Sequence, residues 1–153
     1  MIPIIIIALL AAADQLTKYI ALTRLKPIGQ IVLINNFFNL TYLENRGAAF
    51  GTMQGARWFF VVLAAVVIAA GTIYYAKMEK TPRNLWLRTA LVLICSGTIG
   101  NVIDRVCRGY VVDFLDFIIF GYDFPVFNAA DVFIVLGTAI IVGGILIFEG
   151  DKT

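Results

Sequence analysis

Residues Phe127–Phe148 read FNAADVFIVLGTAIIVGGILIF, and Asp131 is the only charge among them. An α-helix rises about 1.5 Å per residue, so a stretch of this length spans the ~30 Å hydrocarbon core of a bilayer. Its apolar residues run together instead of alternating, which excludes a strand of an outer-membrane barrel. Three further blocks have the same character: Ile2 to about Leu22, Trp58 to Ala76, and Leu85 to Ile103. The expected fold is therefore an all-α membrane protein of four transmembrane helices (about 2–22, 58–76, 85–103 and 127–148). Outer loops take up about 23–57 and 105–126, and residues 1–153 form a single integral membrane domain.

The whole chain agrees with this reading. Of its 153 residues 61% are hydrophobic and 14% charged, with net charge +2 and mean hydropathy +0.91. Soluble domains carry about a quarter charged residues, so an ordinary globular protein, a disordered tail and a basic nucleic-acid binder are all excluded. Histidine is absent and Ser96 is the only serine, inside an apolar run. Histidine-assisted nucleophiles, a histidine base and histidine-ligated metals are thereby ruled out. Cys95 and Cys107 would lie about 18 Å apart on a continuous helix, beyond disulfide reach, and read as packing residues.

Four spans place both termini on one side of the membrane. The short connection Lys77–Arg88 carries Lys77, Lys80, Arg83 and Arg88, so the positive-inside rule puts it, and the termini, in the cytoplasm. Met1–Ala13 ends in three alanines, like a secretory signal. It has no basic n-region, however, and the apolar character resumes at Tyr19, so a retained first helix is expected. In the first outer loop, Ile31–Asn45 is rich in β-formers, with Leu40, Tyr42 and Glu44 opposed to Asn39, Thr41 and Leu43 in period two. That pattern predicts a small extracytoplasmic β-rich region between helices 1 and 2. Gly47, Ala48, Ala49 and Gly51 follow, suited to close backbone approach, and Phe50 beside them reads as part of a flap or as an interfacial anchor. The third loop, with Val111–Phe120, is expected to rest in the interfacial zone.

Polar residues gather at the outer ends. Helix 1 carries Asp14 and Lys18 (i, i+4), helix 3 carries Asn101, Asp104 and Arg105 (i, i+3, i+4), and helix 4 opens with Asn128 and Asp131 (i, i+3). Asn45, Arg46 and Asp113 join them from the loops. An ionisable group at the bilayer centre costs ~2.5–3.5 kcal/mol or more, which makes such clustering informative. At the inner side, Arg88 and Glu79 can snorkel to water. Asp14 with Lys18, and Asp104 with Arg105 or Arg46, read as ion pairs fixing helix packing, and Asp116 and Asp123 as solvated loop charges. Asp113 and Asp131 differ, because apolar neighbours flank both and no cation lies within four residues. Brought together, they would share one proton, the state an aspartic hydrolase requires. The alternative is that one is a helix cap and the other a loop hydrogen-bonder.

Five segments, Asp14-Gln15-Leu16-Thr17-Lys18, Asn45-Arg46-Gly47-Ala48-Ala49-Phe50-Gly51, Gly100-Asn101-Val102-Ile103-Asp104-Arg105, Val111-Val112-Asp113-Phe114 and Phe127-Asn128-Ala129-Ala130-Asp131, resemble in order the motifs of bacterial lipoprotein signal peptidase, signal peptidase II. Ser96-Gly97 stands where members often have two glycines. The resemblance implies an intramembrane aspartic endopeptidase of the bacterial cytoplasmic membrane, active near the outer leaflet. It would remove the signal peptide of diacylglyceryl-modified prolipoproteins before the lipidated cysteine. Carried over by motif, Asp113 and Asp131 would be catalytic, and Asn45, Gly47, Asn101, Asp104, Arg105 and Asn128 would bind substrate or support the site. Asp14 and Lys18 would be structural polar residues. No metal or organic cofactor would be needed. The implied partners are the prolipoprotein, membrane lipid and globomycin-type peptide inhibitors, with no nucleic acid, and the protein would be a monomer.

A small proton-coupled transporter or channel subunit is the competing class. It requires polar residues along a path through the bilayer or helices broken near its midplane. Gly71, Thr72, Gly137, Thr138, Gly143 and Gly144 suit close helix contacts better than a pore. A third class, a non-catalytic scaffold, has no use for two uncompensated aspartates.

Overall fold

The computed structural model describes residues 1–47 and 52–148. Helix α1 (Ile2–Ile20) continues through one π-helical turn, Ala21–Leu25. It is followed by α2 (Arg57–Lys77), a 3₁₀ turn at Pro82–Asn84, α3 (Leu85–Arg108) and α4 (Ala129–Phe148). All four helices are long and apolar enough to cross a membrane, with mean hydropathies of 1.5 to 2.4. Helix α3 runs past the expected Ile103 to Arg108. It stops where Gly109 takes the left-handed conformation (φ 85°) and donates its N–H to the Arg105 carbonyl, an arrangement glycine adopts without a Cβ penalty.

Burial is inverted relative to a soluble protein. Helix α2 has no buried residue, and Ile4, Leu9, Val62, Val66, Val135 and Leu146 are exposed. The central helix is α3, whose buried face is small or polar: Ala90, Cys95, Ser96, Gly97, Thr98, Gly100, Asn101 and Asp104. Between helices in lipid there is little apolar driving force, so small residues that let backbones approach, together with internal hydrogen bonds, carry the packing. A Cβ on Gly97 would strike the Ala130 carbonyl and lie 2.8 Å from Ile134 Cγ1, and one on Gly144 would strike the Trp86 ring. Gly97→Ala should therefore push α4 from α3 and destabilise the fold by about 1–3 kcal/mol. Thermal unfolding in detergent reads the effect, and an unchanged midpoint would show that the two helices re-space without cost.

The sheet lies at the end of the bundle where α1 and α3 finish and α4 begins. Its order is β1 (Gln30–Ile34), β2 (Phe38–Asn45), β3 (Val111–Ile119), β4 (Tyr122–Asp123), antiparallel throughout. The expected β-rich stretch between helices 1 and 2 is present, but it supplies only β1 and β2. Val111–Ile119, expected to rest in the interfacial zone, forms the strand beside β2. Leu40 and Tyr42 of β2 and Phe114 of β3 pack on a small core of Ala21, Leu25 and Val112, which joins the sheet to the end of α1. Two expectations change here. Asp116 is not a solvated charge: its Oδ2 accepts the Thr41 hydroxyl at 2.6 Å, with Asn39 and Gln30 amides at 3.4 Å. Cys95 is a packing residue, buried 3.1 Å from the Cβ position of Gly71, whereas Cys107 is exposed on α3.

Candidate active site

Two local features of the chain bring Asp113 and Asp131 to one cavity. The first is a register shift between β2 and β3: Leu40 pairs with Leu115, but Leu43 pairs with Asp113, so Thr41 and Tyr42 together face Phe114. A one-residue slip exchanges the two faces of a strand, and such a bulge re-aims side chains. Asn45, opposite Val111, thereby becomes the diagonal neighbour of Asp113, and its Nδ2 donates to Asp113 Oδ2 at 2.9 Å. The second feature is Phe127, which exchanges backbone hydrogen bonds with Leu115 (2.8 and 3.0 Å) and stacks its ring on Phe117 at 5.8 Å. The residue before α4 is thus tied to the strand that carries Asp113.

Asn128, next in sequence, caps α4. Its Oδ1 accepts the Asp131 N–H at 3.1 Å, and Asp131 Oδ2 accepts the Asn128 N–H at 3.2 Å, the reciprocal pairing of a capping box. Asn128 Nδ2 is left free to donate to Asp113 Oδ1 at 2.6 Å. One residue thus bonds both aspartates, through its side chain to Asp113 and through side chain and backbone to Asp131. The remaining oxygen of Asp131, Oδ1, accepts Asn101 Nδ2 at 2.8 Å. Asp131 does take part in helix capping, but the N-cap is Asn128.

Behind this pair lies a fully buried ion cluster. Lys18 Nζ, with no exposure, reaches Asp14 Oδ2 at 2.9 Å, Asp104 Oδ2 at 3.1 Å and Asn101 Oδ1 at 2.9 Å. Three acceptors meet the three N–H donors of an ammonium. Because Lys18 holds the oxygen of Asn101, the amide nitrogen of Asn101 faces Asp131. Asp14 Oδ1 accepts the Ala130 N–H at 2.9 Å, placing a carboxylate at the N-terminus of α4, where the helix dipole favours it. A Cβ on Gly100 would strike this carboxylate. Asp104 also accepts the Val112 N–H at 3.1 Å, which locks α3 to β3.

The cations of Asp104 are therefore Lys18 and Arg108, and the expected partners Arg105 and Arg46 lie elsewhere. Arg105 donates to the Gly47 carbonyl at 3.2 Å and sits 4.8 Å over the Phe60 ring, while Arg46 pairs with Glu44 at 3.0 Å. The Arg108 pairing is detectable at i, i+4 from Asp104, but the sequence reading takes the polar face of helix 3 only as far as Arg105. Gln15 was missed as well: it bonds Asp14, Asp104 and the Gly100 carbonyl at 3.1–3.2 Å, and its polarity inside an apolar helix was the available signal.

Asp113, Asp131, Asn45, Gly47 and Arg105 line one cavity of about 780 Å³, whose other side is lined by Phe124–Phe127, Val132, Val135 and Leu136. Asn101 and Asn128 support it, and Asp14, Lys18 and Asp104 lie deeper. Gln54 and Glu44, not singled out in the sequence, also line it. Gly47 has its side-chain space taken by the Thr52 carbonyl. Ala48–Gly51, with the expected flap residue Phe50, lie outside the described residues. Burial, and then the charge of Asp131, push the Asp113 carboxyl up to about 7 against the pull of the Asn45 and Asn128 hydrogen bonds. A carboxyl that holds its proton near neutrality beside a second carboxyl is suited to general acid–base chemistry on water and a carbonyl.

Comparison with known proteins shows the family. The family model described as signal peptidase (SPase) II matches residues 6–147. The lipoprotein signal peptidase of Caldanaerobacter subterraneus subsp. tengcongensis is 50% identical over 147 residues, covering 96% of this chain and 97% of that one. That of Clostridioides difficile is 46% identical, with 97% of each chain covered. A bacterial membrane enzyme structure solved by the in meso method at 2.3 Å superposes with TM-score 0.88 at 38% identity, over 99% of this chain and 91% of that one. With the match extending over nearly all of its length, including every residue of the aspartate cavity, the chain belongs to the signal peptidase II family, the lipoprotein signal peptidases.

Proposed function

We propose that Asp113 and Asp131 are the catalytic pair with which this lipoprotein signal peptidase removes signal peptides from prolipoproteins. The observation that carries the assignment is that both carboxyls line one cavity and both bond Asn128. With one proton between them, one carboxylate takes a proton from water as it attacks the scissile carbonyl. The other polarises that carbonyl and then protonates the leaving amine. Asn45, Asn101 and Asn128 aim the two carboxyls, and Arg105 with Gly47 holds the rim against which substrate backbone lies.

The cavity wall explains the substrate. Val135 and Leu136 line it and are also 64% and 50% exposed, so it opens sideways along α4 toward lipid. An apolar signal helix can slide in from the bilayer, while the diacylglyceryl group on the following cysteine stays in the membrane and holds the scissile bond at the depth of the pair. The charge of Lys77–Arg88 supports an orientation with that loop and the termini cytoplasmic and the sheet at the outer leaflet. A globomycin-type peptide would compete by filling the same cavity. The acting form is proposed to be a monomer. The relay reading has less support: among the described residues the buried aspartates and the buried lysine all lie at the sheet end, and Ser96 toward the middle spends its hydroxyl on the Val92 carbonyl at 2.6 Å.

Purified protein in liposomes should cleave a diacylglyceryl-modified precursor and leave the unmodified precursor nearly intact, as read by gel shift. Equal cleavage of both would sink the lipid-positioning part of this reading. The pH dependence follows from Asp113. Its carboxyl is protonated below about 7 and loses the proton as pH rises through that value, so kcat/KM should fall above about pH 7. Relative to the ordinary 3.8, the raised value also means that folded-state stability declines as pH climbs from near 4 toward 7. Asp113→Asn should flatten that decline, and a basic limb unmoved from the alkaline range would show that the cavity does not hold this proton.

A further inference from the structure

A second cavity lies at the opposite end of the bundle from the sheet, where α1 begins and α2 passes to α3. It measures about 530 Å³ and is lined by Met1, Ile2, Pro3, Tyr75, Lys80, Leu85 and Arg88. The sequence suggests that Arg88 reaches out to water, but its guanidinium lies 4.4 Å over the Tyr75 ring and donates one hydrogen bond to the Tyr75 hydroxyl at 2.5 Å. The other terminal nitrogen, Nη1, is buried without a hydrogen-bond partner among the described residues. Leaving such a donor unsatisfied is costly, the more so on a charged group. Lys80 is the second cation of the wall, and among the described residues no carboxylate lines it. The surrounding stretch 77–88 carries four cations against the single carboxylate of Glu79.

We infer that this cleft binds the phosphate of an anionic phospholipid, with Arg88 and Lys80 on the phosphate oxygens and an acyl chain along Ile2, Pro3 and Leu85. Arg88 is held flat by Tyr75 with one nitrogen unspent, which suits a phosphate oxygen, and Arg in particular offers a planar fork for that geometry. The apolar part of the wall distinguishes a lipid from free phosphate. Ile2 and Leu85 are 72% and 63% exposed on helices long enough to span a membrane, so they continue the cleft into the acyl region. A basic pocket between transmembrane helices is a recognised way of holding an anionic headgroup.

Native mass spectrometry of the detergent-purified full chain, titrated with phosphatidylglycerol and separately with phosphatidylcholine, tests the inference. Phosphatidylglycerol should bind about tenfold tighter, and Arg88→Gln should bring it down to the phosphatidylcholine level. Lys80→Gln, at an exposed position, should lower it severalfold with no threat to folding. Cleavage in phosphatidylcholine liposomes should be unchanged in both variants, because the cleft is at the far end from the aspartates. Equal binding of the two lipids, or a preference that survives both substitutions, would overturn the proposal. Displacement of phosphatidylglycerol by millimolar inorganic phosphate would also overturn it, by making the ligand a free anion.

Discussion

Asp113→Asn and Asp131→Asn should each lower the cleavage rate of a lipidated precursor by about 10³-fold or more, the scale on which acid–base groups acting as a unit are lost. Both substitutions keep side-chain volume and remove the ability to exchange a proton, at the cost of one hydrogen bond each, because the new NH2 faces an N–H donor. The fold should survive them, because Asp113 and Asp131 are held by neutral amides and a backbone N–H and are not the counter-ions of the buried Lys18 cluster. The decisive comparison is single-turnover cleavage beside retention of a globomycin-type peptide. A catalytic pair predicts lost cleavage with binding kept. Retained cleavage in either folded variant would remove the pair from the mechanism, and joint loss of cleavage, binding and thermal midpoint would make the aspartates structural.

Lys18→Met should be the most damaging change to stability, at about 3–5 kcal/mol. The ammonium is the shared partner of Asp14 and Asp104, and all three have no exposure. Methionine fills the space but leaves Asp14 with no cation and Asp104 with only Arg108. Activity should fall as well, because Asn101 loses the contact that turns its nitrogen toward Asp131. Asp14→Asn alone should mainly lower stability, with specific activity of the folded fraction preserved. The double variant Lys18→Met with Asp14→Asn should be less harmful than the sum of the singles, since residues in one ion network couple. Thermal unfolding in detergent measures all three, and additive effects would show that Lys18 and Asp14 do not act as a pair.

Much of the architecture was legible from the chain because a bilayer imposes a strong local rule. Every backbone polar group in hydrocarbon must be satisfied within its own helix, so about 20 apolar residues in a row announce a span without reference to anything distant. The same economy of charge made the exceptions readable: Asp14, Lys18, Asn101, Asp104, Asn128 and Asp131 stand out because polar groups at that depth are costly and rare. Period-two patterning marked β2 in the same local way. The pattern around Val111–Ile119 was apolar on both faces, and nothing in it distinguished a strand from a surface segment.

Pairing is what a linear reading lacks. That β3 lies against β2 and that a bulge at Thr41–Tyr42 turns Asn45 toward Asp113 depend on residues some 70 positions apart, that Phe127 ties α4 to the strand depends on a pairing with Leu115, and neither register has a local signature. The choice of Lys18 and Arg108 over Arg105 as partners of Asp104 was decided in the same way, by where α3 ends and which helix it packs against. Sequence alone established a four-span chain with costly polar groups at one end, because hydrophobicity and helical spacing act over a few residues. The tertiary structure decided which of those groups meet in one cavity and which neutralise one another, because contact and burial arise only when distant segments meet.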